Sequence, residues 1–284
     1  MAKRAGIMLC YPMEERRLLD PKFGWNFPKN PVIIQPKLDG ERAHPIAQIL
    51  PEPSLISSEC NEIISVPHII EAMREQKIKD EIDGELYTHG MDWSEIHSIV
   101  SRKSEGTIHP DAWKMQFHIF DVITDQPQLV RISHVQDLNL QPPLFEVPSY
   151  IAHSMKDIMY FYDRFKEEGY EGIIVRHLTN QYIRRRSRFV LKFKPKKTDH
   201  YRIIGFEEAI SKDGIQKCMI GAIWCMDEEG NEFKVGAGSI KHEDRIRIFN
   251  APQIEIDRFC VVQYQHLTAK SGVPRFGLAL DIID

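Results

Sequence analysis

Cysteine is scarce in this 284-residue chain: there are five, at positions 10, 60, 218, 225 and 260. An odd number with no paired ligand spacing supports neither a disulfide framework nor a zinc site. No apolar run is long enough to cross a bilayer. The short apolar stretch near the N-terminus contains Pro12 and runs into Glu14-Glu15-Arg16-Arg17, which does not make a signal peptide. These absences set the expectation of a reduced, cytoplasmic protein with no membrane partner. Internal repeats and low-complexity segments are also missing. At 42% apolar and 27% charged residues the composition is that of a globular protein, long enough for two domains.

Net charge is −4, which taken alone argues against a nucleic-acid partner. One absence argues the other way, because no Asp or Glu occurs from Gly172 to Thr198. That stretch carries Arg176, Arg184, Arg185, Arg186, Arg188, Lys192, Lys194, Lys196 and Lys197. A basic stripe on an acidic protein can contact phosphates while the remainder keeps it soluble. Within it Phe189, Leu191 and Phe193 alternate with Val190, Lys192 and Lys194. This predicts a half-buried strand with both lysines on one face.

The most informative residue is Lys37, at the end of Val32-Ile33-Ile34-Gln35-Pro36 and followed by Leu38-Asp39-Gly40-Glu41-Arg42. A strand here puts Lys37 and Asp39 on one face. Burial disfavours the charged form of a lysine, so a lysine held against a buried site can lose its proton and become a nucleophile.

Further strands are predicted at 81–87, with Asp83 and Glu85 sharing a face, and at 116–123. Helices are predicted from Pro67 to Ile78 and from Ser154 to Glu168. The second is capped by Ser154 and Asp157, buries Ile158, Phe161, Tyr162 and Phe165, and stops at Gly169. Beyond Pro195 short strands at about 201–210, 217–226, 231–237, 259–267 and 276–283, with one helix at about 240–249, suit a small closed barrel.

The order of these segments resembles the covalent nucleotidyltransferases, and most closely the small ATP-dependent DNA ligases of phages, viruses and bacteria. KLDGER at 37–42 is similar to the family's AMP-accepting motif. IDGELY (82–87), FHIFDVI (117–123), EGIIVR (171–176) and LKFKP (191–195) resemble its later motifs in the same order. MIGAIW (219–224), FKVGAGS (233–239) and VQYQHLTAKSGVPRF (262–276) extend the likeness through the C-terminal half. The resemblance implies an α+β nucleotidyltransferase domain over 1–197, with ATP-grasp-like antiparallel sheets and flanking helices. An OB-fold β-barrel would follow over 198–284.

It also implies the chemistry: Lys37 attacks ATP, the lysyl-AMP passes to the 5′-phosphate of a nicked duplex, and the 3′-hydroxyl displaces AMP. Mg²⁺, which Mn²⁺ could replace, would be met by Glu171 and Glu85. Asp39 would orient the lysine, Lys192 and Lys194 would contact the α-phosphate, and Phe120 would stack on the base. Gln35 and Arg42 complete the expected ATP site, Arg42 at the ribose or the nick phosphate. Arg184, Arg185, Arg186, Arg188 and Arg275 are the expected contacts to nicked double-stranded DNA, gripped by a monomer with its two domains alone. Asp83 and Asp121 are read as structural, and Tyr182 and Phe189 as packing under the basic cluster. The expected setting is the cytoplasm, or the host's if the gene is a phage's.

Two departures from the family pattern stand out. Ser58 occupies the place where similar ligases carry an arginine, and no basic residue follows Arg275. Arg275 or Lys270 could substitute for the missing tail cations, or self-adenylation could be slow. Two alternatives stay open: an RNA ligase or capping-type guanylyltransferase, because the first motif is shared across that superfamily, and a nick-binding protein with impaired self-adenylation, which the two departures alone support.

Overall fold

A computed structural model describes residues 6–45, 54–102, 108–194, 197–211, 213–264, 267–268, 272–274 and 277–284. It divides into two compact units, Met1–Phe193 and Lys194–Asp284. In chain order the first unit holds β1 (Leu9–Pro12), α1 (Glu15–Leu19), β2 (Val32–Lys37), β3 (Glu41–Pro45), β4 (Leu55–Ser57), β5 (Glu62–Ile63) and α2 (Pro67–Glu75). Then come β6 (Ile82–Tyr87), α3 (Trp93–Val100), β7 (Gln116–Val122), α4 (Gln128–Asp137), β8 (Leu144–Glu146), β9 (Tyr150–Ala152), α5 (Met155–Glu167), β10 (Gly172–His177) and β11 (Arg186–Phe193).

The strands form two sheets, in the orders β1-β11-β10-β2-β9 and β5-β4-β3-β6-β7-β8. Most pairings are antiparallel; β1–β11 and β7–β8 are parallel. Each sheet has its own apolar layer. Trp25, Ile34, Ile158, Phe165, Ile173 and Leu191 are buried behind the first, and Leu55, Ile69, Ile96, Phe117 and Ile119 behind the second.

Helix α5 follows its sequence signals closely. The Ser154 hydroxyl accepts from the Asp157 N–H, and the Asp157 carboxylate accepts from the Ser154 N–H at 3.0 Å. A cap of this kind stabilises a helix by about 1 kcal/mol. Gly169 then takes φ +89°, the left-handed turn that ends the helix and releases the chain toward Glu171. Ile158 and Phe165 are fully covered, while Phe161 and Tyr162 pack at the edge of the same layer.

The strand at β11 departs from expectation in two ways. Both Val190 and Leu191 are buried, so it is covered on both faces rather than one. It also stops at Phe193, leaving Lys194 outside. Pro195 follows, and a proline has no N–H to continue a ladder and restricts the residue before it. Likewise β2 ends at Lys37, so Asp39 lies in the connection to β3 and not on the strand.

The second unit holds β12 (Lys197–Ile210), β13 (Gln216–Met226), β14 (Glu232–Gly236), α6 (His242–Asn250), β15 (Phe259–Tyr264) and β16 (Leu278–Ile283). The strands close into a barrel in the order β12-β13-β14-β16-β15. Ile203, Ile223, Val235, Cys260 and Val262 fill its interior. Helix α6 packs on β13, where Arg245 Nε donates to the Ile220 carbonyl at 2.8 Å. No helix among the described residues is long and apolar enough to cross a membrane.

Candidate active site

Strand register decides which side chains meet. Across the first sheet Ile174 pairs with both Gln35 and Lys192, and Gly172 pairs with Lys37. Directly paired residues share a face, as do residues two apart. Gln35, Lys37, Ile174, Arg176, Val190 and Lys192 therefore project together. In the second sheet Arg42 pairs with Glu85, and Glu85 with His118, two residues before Phe120. The two faces enclose a cavity of about 370 Å³, whose walls include Lys37, Arg42, Glu85, Phe120, Arg176, Arg186 and Lys192. Ser58 lies on the same wall.

Gly40 is what lets the turn after Lys37 settle against β6. A Cβ there would stand 2.2 Å from the Leu86 carbonyl oxygen and 2.9 Å from Glu85 Cγ. Any other residue would have to displace the Leu86 backbone and the Glu85 side chain.

Lys37 is ion-paired to Glu171, with the two side chains 19% and 9% exposed. The Glu171 N–H also donates to the Lys37 carbonyl at 3.0 Å, so the carboxylate is fixed by the strand pairing itself. Burial pulls the Lys37 amine down, but the Glu171, Glu85 and Asp39 carboxylates outweigh it and hold it above its ordinary value. In the ligand-free protein the neighbouring carboxylates thus win over desolvation and favour the ammonium form, which must lose its proton before it can attack.

Three carboxylates around one ammonium leave excess negative charge. Burial is the main cause that pushes Glu85 up to about 7, opposed by Lys37 and Arg42 and reinforced by Glu171. In an unfolded chain a glutamate titrates near about 4.3. The folded protein holds this proton more tightly, so the group's contribution to stability is complete below the unfolded value and is lost as pH rises through about 7. Glu85→Gln should therefore raise the melting temperature of the fold by a few degrees at pH 8, on the order of 1–2 kcal/mol, and much less at pH 5. Thermal unfolding at the two pH values checks this; an equal shift at both would contradict it.

Arg42 is held from behind. Its Nε donates to Asp83 Oδ1 at 2.9 Å and its Nη2 to Asp83 Oδ2. Asp83 has no exposure, so its role is to fix Arg42, in line with its reading as structural. Phe120 has the Arg42 and Arg176 guanidinium groups 5.1 and 5.2 Å from its ring centre. Arg176 was not expected here. Its Nε donates to Gln35 Oε1 at 2.6 Å and its Nη1 to Asp121 Oδ2 at 3.1 Å. Alternation from Gly172 through Ile174 would have placed it on the cavity face. Asp121 is buried and also receives Arg131 Nε at 2.7 Å, the structural role expected of it. Gln35 spends its amide on Arg176, the Phe120 carbonyl (3.2 Å) and Ser149 Oγ (3.0 Å).

The four arginines of the basic run do not form one patch. Arg184 binds Glu81 (2.6 Å) and the Gly6 carbonyl (2.7 Å). Arg186 turns toward the cavity, donating to the Cys10 carbonyl and lying 5.4 Å over the Tyr11 ring. Arg185 and Arg188 are exposed and have no acidic partner among the described residues. Phe189 packs against Trp25 and His177, and Tyr182 is buried, both as expected. Lys194 falls in the second unit, apart from the cavity walls. Lys270 and Arg275 lie outside the described residues.

A lysine caged by carboxylates in a cation-rich cavity between two sheets, on a chain that also builds a closed five-stranded barrel, defines a two-domain nucleotidyltransferase. The sequence matches the ATP dependent DNA ligase domain over residues 21–194 and the DNA ligase OB-like domain over residues 213–282. The chain belongs to the ATP-dependent DNA ligases. A DNA ligase of Haemophilus influenzae is 28% identical over 201 residues, 69% of each chain. Among solved structures, a Lig E DNA ligase superposes with a TM-score of 0.78 at 21% identity, covering 98% of this chain and 99% of that one. The ATP-dependent DNA ligase of bacteriophage T7, solved with ATP, gives 0.57 at 15% identity over 99% of both chains.

Proposed function

We propose that this ligase seals 5′-phosphate/3′-hydroxyl nicks in duplex DNA, as a monomer, through AMP carried on Lys37. The observation that carries the reading is the placement of Lys37: a strand-end lysine, carboxylate-bound, on the walls of one cavity with Lys192 and Arg186 from its own sheet and Arg42 from the other. Those cations are suited to a triphosphate, and their charge would stabilise the phosphorus centre as Lys37 attacks and pyrophosphate leaves. Phe120 offers an aromatic face for the base, and Gln35 holds the Phe120 backbone in place. Asp39 adds a third carboxylate to those acting on Lys37.

Glu171 and Glu85 fit a hard divalent cation, because burial, reinforced by the Glu171 charge, disfavours the Glu85 carboxylate, and a second cation would relieve that cost. No three protein ligands converge to cage a metal among the described residues. That suits Mg²⁺, which is commonly held by one or two carboxylates with phosphates and water. When bound it supplies Lewis-acid stabilisation of phosphate charge. Glu171 would then share its charge with the cation, loosening its hold on the Lys37 proton. Lys194 and Arg275 remain proposed contacts, to the α-phosphate and to DNA.

Of the arginine run, Arg185 and Arg188 are the proposed duplex contacts and Arg186 a phosphate contact in the cavity. Arg184 braces the loop through Glu81. Replacing Arg185 and Arg188 with Ala should weaken binding to all sequences alike. The slope of log affinity against log salt should flatten by roughly 0.9 per lost contact. An unaltered slope would remove both from the interface. The five free cysteines support a reducing compartment, the cytoplasm.

Labelling with ATP or GTP in the absence of nucleic acid, followed by a singly nicked duplex, tests the function. Label from ATP and transfer to DNA are expected. Label from GTP would favour a capping-type enzyme, and sealing restricted to RNA strands would favour an RNA ligase.

A further inference from the structure

The hydroxyl of Tyr182 sits at a junction that the adenylation chemistry does not by itself require. The residue lies in the connection between β10 and β11, two positions before Arg184, and is only 6% exposed. Its hydroxyl donates to Asp83 Oδ2 and accepts from the Met8 N–H at 2.9 Å. The same Oδ2 receives Arg42 Nη2, while Oδ1 receives Arg42 Nε. The Arg131 guanidinium lies 5.7 Å from the centre of the Tyr182 ring. One buried carboxylate is thus shared between an arginine on the cavity wall and a tyrosine on the arginine-bearing loop. A carboxylate gripped only by a guanidinium can rotate with it; a third donor from another direction fixes its plane.

We propose that Tyr182 is a positioning residue for the reaction, its hydroxyl setting the plane of Asp83 and thereby the direction in which Arg42 meets the nucleotide. Because Tyr182 belongs to the loop that carries Arg184 and Arg185 and leads into Arg186 at the start of β11, the same bond ties the pose of Arg42 to the pose of that loop. Burial and the Asp83 charge hold the phenol well above its ordinary value, so it acts as a donor throughout the working pH range. The inference rests on the reading of the cavity as the nucleotide site.

Tyr182→Phe removes the oxygen and leaves the ring in its packing. The test is a double-mutant cycle on the full chain, with single-turnover self-adenylation by ATP and Mg²⁺ as the readout. The Tyr182→Phe protein should melt within a few degrees of the wild type and adenylate about tenfold more slowly, the scale of one lost hydrogen bond to a charged group. Arg42→Lys, which cannot reproduce the two-point grip, should lose more. The combination should be no slower than Arg42→Lys alone, since Tyr182 acts only through Arg42. Asp83→Asn, which weakens the hold on Arg42 without changing volume, should be absorbed by Arg42→Lys in the same way. Multiplicative losses, or a Tyr182→Phe protein as fast as the wild type, would overturn the proposal while leaving the ligase reading intact. A wild-type protein that takes no label from ATP would overturn both.

Discussion

The Lys37→Ala protein should take up no label from α-labelled ATP and still close a nick whose 5′-phosphate already carries AMP. Lys37 is set at the end of a cavity-facing strand against a carboxylate fixed by the strand pairing. Among the described residues of the walls the other amine that could form a phosphoramide is Lys192, which lies two strands away across β10. The loss in the first step should reach the detection limit, at least ~10⁴-fold, as expected for removal of a covalent nucleophile. Closure of the pre-adenylated nick asks only for the cations and the carboxylates proposed to hold the metal, which remain. Persistent labelling of the mutant would move the nucleophile elsewhere.

Because Lys37 is held protonated by its neighbours, wild-type self-adenylation should climb with pH above neutrality, as more of the amine becomes free. This links directly to the second large effect. Glu171→Gln should slow adenylation by about 10²-fold, because it removes both the charge partner that orients the Lys37 amine and a carboxylate proposed to hold the metal. The fold should survive, since the strand contact from the residue-171 N–H to the Lys37 carbonyl is backbone and remains. The residual rate should reach its plateau at a lower pH than in the wild type. Glu171 is the foremost of the carboxylates that raise Lys37, so its removal lets the amine fall. A mutant with wild-type activity at limiting Mg²⁺ would make Glu171 structural only.

The elements legible in the sequence were those with local signals. Helix α5 announces its start through Ser154 and Asp157 and its end through Gly169, and the barrel strands are spaced by turns such as Asp213-Gly214. The gathering of Lys37, Arg42, Glu85, Phe120 and Lys192 around one cavity followed from motif order, which encodes the topology. Three things were hidden, each depending on contacts distant in sequence. The protonation of Lys37 is set by Glu171, 134 residues away, and by Glu85, so burial alone does not give its direction. Arg186 and Arg184 look equivalent to Arg185 and Arg188 in a basic run, but Cys10 and Glu81 draw them to different partners. Tyr182 reads as a packing aromatic; only the fold brings its hydroxyl to Asp83, 99 residues earlier.

The central claim, that this ligase carries AMP on Lys37, is tested most directly by locating the adduct. The wild-type protein is incubated with ATP and Mg²⁺ without DNA, digested at neutral pH to spare the acid-labile phosphoramide, and its peptides sequenced by mass spectrometry. AMP should be found on the peptide containing Lys37-Leu38-Asp39-Gly40, and should vanish when nicked duplex DNA is added before digestion. AMP on any other residue, or an adduct that nicked DNA does not discharge, would contradict the account.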